Sequence, residues 1–391
     1  MKENTNEKKN QQPKKHNKNK PKYREWLGIA MPALIGFIVG IWSGAQGKSE
    51  VHMHQSVEKD FFSWAQGLVL FILAIYTQII IHEGGHLLFG LLSGYQYESF
   101  RIGKWTLVKQ EGKWQIKKFS LAGTGGQCLM APPDLVDGKM PFVLYNLGGA
   151  ILNLVVGGIS FGIYKIIGDI PILSEFLFIM AIIGIGFALV NGIPMRFGSI
   201  DNDGYNAIML GKDLKAQYAL WVQLKVNKAQ SDGIRIKDMP EEWFLQPTDE
   251  EMQNSMCAAV GVFTCNRLMD ALAFEEADKL MEKYLTIESE MVGLHRHLLI
   301  CDRIYCELIR QNRAEVLEAM LDKKQQKFMK SMSTFPAVIR TQYAYALLGE
   351  KDEKKAEKLK KQFEKVAATY PYKTDIENQR ELIEIVENIA I

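Results

Sequence analysis

The stretch from Phe61 to Gly94, FFSWAQGLVLFILAIYTQIIIHEGGHLLFGLLSG, decides how the rest of the chain is read. It is apolar over a length that suits a helix crossing a bilayer, and near its far end stand His82-Glu83-Gly84-Gly85-His86. A helix returns to the same face after four residues, so His82 and His86 can present two imidazoles to one metal ion, with Glu83 beside it. Neutral imidazoles suit zinc. A third nitrogen or oxygen ligand would complete a catalytic set with a position open to water, and a neighbouring carboxylate can accept that water's proton. The chemistry this predicts is hydrolysis. Two histidines and a glutamate at this spacing also meet by chance. Ionisable groups are nevertheless costly in a membrane segment and persist there chiefly where they bind, relay or catalyse.

The chain has 391 residues, 47% of them hydrophobic, which allows two domains and suggests a mixture of membrane and soluble parts. Apolar runs lie between Trp26 and Pro194, and the remainder is charged and reads as helices. A formal net charge of +2 is too small to imply nucleic acid or another polyanion as partner. The five cysteines are scattered without a C-x-x-C pair, so neither a disulfide framework nor a thiolate zinc site is expected. Cys128 reads as a strand residue, and the other four as reduced helix residues.

Outward from the central stretch, residues 1 to 24 are rich in Lys, Asn, Gln and Pro, which predicts a disordered basic arm that keeps the N-terminus cytoplasmic. A first span is expected at about 25–44, with Gly36, Gly40 and Gly44 on one face, followed by an outer segment whose His52 and His54 read as solvated loop residues. The span at 61–94 then returns inward. From about 97 to 130 aromatic and β-branched residues alternate with polar ones, as in Phe100 and Ile102, Trp105 and Leu107, and Trp114 and Ile116. Two or three antiparallel strands are predicted, with the glycines at 123, 125 and 126 in a loop. Spans at about 141–167 and 171–194 complete a set of four and return the chain to the cytoplasm.

The last span is followed by Ser199-Ile200-Asp201-Asn202-Asp203-Gly204, which offers a carboxylate as third ligand. By topology His82 and Asp203 lie at one depth. Asp203 is the favoured ligand and Asp201 the alternative, and either is also a natural helix N-cap. Residues 205–391 are expected to form a cytosolic helical domain. Tyr343, Ala344, Leu347, Gly349, Ala356, Phe363 and Pro371 fit a tetratricopeptide-like hairpin, and less regular units are placed around Ala277 and Ala314. His295 and His297, two apart, cannot share a helical face and read as incidental. The predicted class is mainly α: a polytopic membrane helical core with a small β-element, then the helical-hairpin domain.

With His82-Glu83-x-x-His86 in one span, Gly148-Gly149-Ala150-Ile151-Leu152-Asn153 in the next and Asn191-x-x-Pro194 followed by Asp203-Gly204, the chain resembles the site-2 protease family of intramembrane zinc metalloproteases. The resemblance covers about residues 60 to 210. It implies zinc (Zn2+) held by His82, His86 and Asp203, Glu83 as catalytic base, and Asn153 and Asn191 as substrate-positioning residues. It also implies cleavage of a membrane-protein or membrane-peptide substrate, which an exposed strand among residues 97 to 119 could hold extended. The chain departs from the family at Gly149, where proline is common, and at Asn202, where an apolar residue is usual. The competing expectation is a non-enzymatic membrane adaptor with a vestigial metal site, whose helical tail recruits a cytosolic protein partner.

Overall fold

The computed structural model describes residues 57–110, 113–118, 125–168, 170–197 and 200–390. The expected basic arm, the span at 25–44, His52, His54 and Gly123 lie outside them. Among the described residues three helices are long and apolar enough to cross a membrane: α1 (Val57–Leu92), α2 (Val143–Ile166) and α3 (Pro171–Gly192). Pro171 opens α3, where the N–H it lacks would have had no intrahelical partner. Leu68, Val69, Ile72 and Leu73 of α1 and Leu154, Val155 and Ile159 of α2 are exposed, forming the kind of contiguous apolar surface that marks a membrane or protein contact.

Inside the bundle Leu70, Ala74, Ile179, Met180 and Ile183 pack together. Further along, α1 and α2 touch through their backbones. A Cβ on Gly85 would overlap the Gly148 carbonyl, and one on Gly148 would come 2.5 Å from the Gly85 oxygen. Small residues permit this approach in helix bundles, and here it occurs at the level of the His/Glu motif.

Between α1 and α2 run β1 (Gln96–Ile102), β2 (Trp105–Gln110), β3 (Lys113–Lys118) and β4 (Gly126–Ala131), antiparallel in the order β3-β2-β1-β4. Period-2 alternation puts Trp105, Leu107 and Lys109 on one face, opposite Lys118, Ile116 and Trp114. On this face Lys118 and Lys109 each lie over the tryptophan across from them, at 5.1 Å for Lys118 on Trp105 and 5.9 Å for Lys109 on Trp114. The expected glycine loop is shorter than predicted, because Gly126 opens β4 and pairs with Ile102 of β1. A Cβ at Gly126 would lie 2.5 Å from Glu83 Oε1. The strand can pass α1 there only at a residue without a side chain.

Beyond the short ribbon β5 (Arg196–Phe197) and β6 (Ile200–Asp201) come α4 (Asp203–Met209) and α5 (Leu214–Ser231). There follow α6 (Ser255–Asp270), α7 (Phe274–Thr286), α8 (Gly293–Arg310), α9 (Ala314–Met320) and α10 (Lys323–Ser331). The chain closes with α11 (Pro336–Ala344), α12 (Glu353–Ala367) and α13 (Lys373–Ala390). Leu299, Ile304, Tyr305, Ile339, Ala344 and Val386 share the core of this domain. The pairs α6/α7, α8/α9 and α11/α12 are hairpins whose turns pass through Leu272, Asn312 and Lys351, with φ of 59°, 51° and 55°. A left-handed residue at that place ends the preceding helix and reverses the chain.

The three turns stand 40 and 39 positions apart, from 272 to 312 and from 312 to 351. Five residues past each turn are Ala277, Leu317 and Ala356, all buried. The register read from Ala277, Ala314 and Ala356 is therefore corrected at its middle member. Ala314 is exposed, because equal distance from the turn decides which position faces inward.

The Gly85–Gly148 contact is testable by single methyl groups. Gly85→Ala should destabilise the detergent-solubilised protein by about 1–3 kcal/mol through overpacking. Gly84→Ala, whose Cβ would meet nothing within 4 Å, should be neutral or stabilising. Thermal melting of the two variants side by side checks this; equal melting temperatures would count against the close approach.

Candidate metal centre

Gln78, His82 and His86 recur every four residues and so share one face of α1. The chain brings Asp203, the first residue of α4, to that face. His82 Nε2 lies 3.2 Å from His86 Nε2, and Asp203 Oδ2 is 3.2 Å and 3.4 Å from the two nitrogens. Three potential ligand atoms thus meet at one point.

The neighbours of each ring decide where its proton sits. His86 Nδ1 is 2.7 Å from the carbonyl oxygen of Tyr145, which can only accept, so Nδ1 carries the proton. For His82 the assignment passes through two amides. Gln78 Nε2 donates to the Met180 carbonyl at 2.9 Å, which leaves Gln78 Oε1 to accept from Asn153 Nδ2 at 2.7 Å. Asn153 Nδ2 also donates to the Gln78 carbonyl at 2.9 Å, and Asn153 Oδ1 then accepts from His82 Nδ1 at 2.8 Å. Both Nε2 atoms keep their lone pairs and face Asp203. Gln78 and Asn153 have no solvent exposure, and every polar group of the relay is used.

An ionised oxygen and two lone-pair nitrogens repel one another unless a cation lies between them. Asp203 Oδ2 is buried and has no hydrogen-bond donor. The set fits a divalent metal: two imidazoles and one carboxylate would hold it, with each imidazole oriented through its other nitrogen. Glu83 is 8% exposed and stands beside His82 on α1, with the start of β4 against its carboxylate.

The remaining predicted residues fall elsewhere or take other tasks. Asp201 is outside the cluster. Its Oδ1 accepts from Arg196 Nε at 2.5 Å and its Oδ2 from Ser255 Oγ at 2.5 Å. The N-cap of α4 is Asn202, not Asp203: Asn202 Oδ1 accepts from the Tyr205 and Met195 amides, and its Nδ2 donates to the carbonyls of Val190 and Ile193. That clamp explains why Asn202 stands where an apolar residue was expected, and it frees Asp203 to face the histidines. Asn191 donates to Phe187 O at 3.0 Å within its own helix and forms no hydrogen bond with the ligand residues. Both ends of Asn153 are occupied, so the geometry gives it the task of orienting His82 and leaves no free amide for a substrate.

The histidine ring also explains Gly149. A Cβ there would lie 2.5 Å from His82 Nδ1, so the imidazole occupies the space a proline would need. Sequence reasoning missed Gln78, although its spacing of four before His82 was the available signal. It also missed the Tyr145 carbonyl, which no side chain announces. No family model, curated protein or solved structure matches the chain, so the functional reading rests on this geometry.

Removing the support of His82 should weaken metal binding without removing a ligand. We expect Asn153→Ala to lower zinc affinity about 10- to 100-fold, and His86→Ala to abolish stoichiometric binding. Competition with a chromophoric chelator in detergent measures both. An Asn153→Ala protein with unaltered affinity would show that the amide relay does not orient the ring.

Proposed function

We propose that the chain is an intramembrane zinc metalloprotease of the site-2 protease kind, hydrolysing peptide bonds of membrane-spanning or membrane-proximal substrates. The observation that carries this reading is the convergence of His82 Nε2, His86 Nε2 and Asp203 Oδ2 on one face of an apolar helix, with Glu83 beside them. Zinc, when bound, supplies a Lewis acid for a peptide carbonyl and acidifies water toward neutral pH. The two histidines and Asp203 hold it, and Asn153 and the Tyr145 carbonyl keep the rings turned toward it. Glu83 accepts a proton from the attacking water on its carboxylate and returns it to the departing amine nitrogen.

A helical substrate has its carbonyls engaged and must unwind before it can be cut. An extended peptide gains main-chain hydrogen bonds by lying along a free strand edge. The strand that passes Glu83 is β4, outside the 97–119 stretch, and it forms one edge of the sheet. The adaptor reading gives no task to Glu83 or to the buried Gln78–Asn153 support.

The three apolar helices, together with the further span that the sequence predicts at 25–44 after a basic arm, support a multi-pass protein of the cell membrane with both termini cytoplasmic. The hairpins past Asp203 support a tetratricopeptide-like surface for a cytosolic partner, with a period longer than the usual 34 or so residues.

Base and ligand can be separated by isosteric changes. Glu83→Gln should retain about one zinc per chain and the native melting temperature while cleavage falls at least a thousandfold, roughly 4 kcal/mol of lost transition-state stabilisation. Asp203→Asn should weaken zinc binding, and Asp201→Asn should leave it intact. Metal analysis of the purified variants, with comparison of membrane peptides left uncut in cells carrying Glu83→Gln, provides the readout. Metal loss in the Asp201 variant alone would reverse the ligand assignment, and wild-type cleavage by Glu83→Gln would reject the protease.

A further inference from the structure

A second polar site lies in the helical domain, away from the metal ligands. A cavity of about 370 Å³ opens between β4, α5, α6, α8, α11 and α13. Its size is in the range of small-molecule pockets. Three buried polar atoms on its lining have no hydrogen-bond partner: Arg340 Nη1, Thr374 Oγ1 and His295 Nδ1. Arg340 is 1% exposed and Thr374 4% exposed. Buried polar atoms are rarely left unsatisfied, and three around one cavity point to a missing occupant.

The charges on the lining restrict what that occupant is. Asp302 is paired with Arg340, whose Nε also donates to Gln379, and Asp270 is paired with Arg235. Among the described residues no cation pairs with Asp375, whose Oδ1 accepts from Gln230 Nε2 at 2.7 Å. Burial, and then the neighbouring Asp270, raise its pKa to about 7, as expected for a carboxyl that lacks a positive partner. Burial also lowers the pKa of His295, which favours the neutral imidazole and leaves Asp375 uncompensated. Three aspartates against two arginines, each already paired, disfavour phosphates and other polyanions. A divalent metal is also a poor fit, because the group of metal-ligating side chains that converges among the described residues is His82, His86 and Asp203, not one on this lining.

We propose that this cavity binds a small zwitterion of the amino-acid or dipeptide class, its ammonium group taken by Asp375 and its carboxylate by Arg340 Nη1 and the Thr374 hydroxyl. Such a ligand supplies the absent cation and an acceptor for the orphaned donors together, whereas trapped water supplies no charge. The site shares a strand with the metal centre. Gln127 and Leu129 of β4 line the cavity, and Gly126 of the same strand backs onto Glu83. The binding site is argued from its own residues and does not depend on the protease reading.

Isothermal titration of the full-length protein in detergent at pH 8, with free L-amino acids and glycyl dipeptides as probes, tests the assignment. At least one probe should bind saturably, and its N-acetylated form should bind at least tenfold more weakly. Asp375→Asn, which keeps an oxygen for Gln230, and Thr374→Val should each raise Kd about tenfold or more while melting temperature and zinc content stay as in the unmodified chain. Absence of binding by every probe would overturn the proposal. So would equal affinity for the acetylated form, a comparison made on the unmodified protein and independent of whether the variants fold.

Discussion

The geometry of the candidate metal centre depends on two hydrogen bonds that do not involve the three converging atoms themselves. The Nδ1–H groups of His82 and His86 donate to Asn153 Oδ1 and to the Tyr145 carbonyl, and this turns both Nε2 lone pairs toward Asp203. With either ring in the other tautomer, a proton would occupy the point where the three atoms meet. The acceptors are backed by the bundle: Asn153 is held by Gln78, and Gln78 by the Met180 carbonyl of α3. All three membrane-length helices therefore contribute to one imidazole's orientation.

Such a relay is expensive to bury and secure once complete. An unpaired amide in an apolar interior costs about 1–3 kcal/mol or more, so each donor and acceptor of Gln78 and Asn153 must find its partner. They reach one another because α1 and α2 touch at Gly85 and Gly148, where any side chain would hold the helices apart. The same closeness makes room for the His82 ring only against Gly149. Backbone contact, amide relay and ligand geometry thus form one constraint seen at three scales.

The ligand carboxylate is tied to the helical domain as well as to the membrane helices. Asn202 fastens the start of α4 to the end of α3, while Asp201 one residue earlier holds Arg196 and Ser255, the first residue of α6. Arg196 reaches on to Glu290 at 3.4 Å. A shift of α6 would therefore be felt two residues away from Asp203. β4 makes a second path, from the polar cavity to Glu83.

By itself the sequence determined the membrane-length helices and the placement of the motif on one of them. Three of the expected spans, at 61–94, 141–167 and 171–194, match α1, α2 and α3 to within a few residues, because an unbroken apolar run is a local property. His82, Glu83 and His86 were legible because helical period alone puts them on adjacent turns. Only the tertiary structure brings Asp203, and not Asp201, to the two histidines. Both are carboxylates near the same helix start, and the choice depends on Arg196 and Ser255 engaging the first and on Asn202 capping the helix in place of the second. The hydrogen bond from His82 to Asn153, and the burial of Leu317 rather than Ala314, were likewise invisible. Each depends on what lies across a helix interface, and residue order records which side chains a segment offers, not which neighbours take them up.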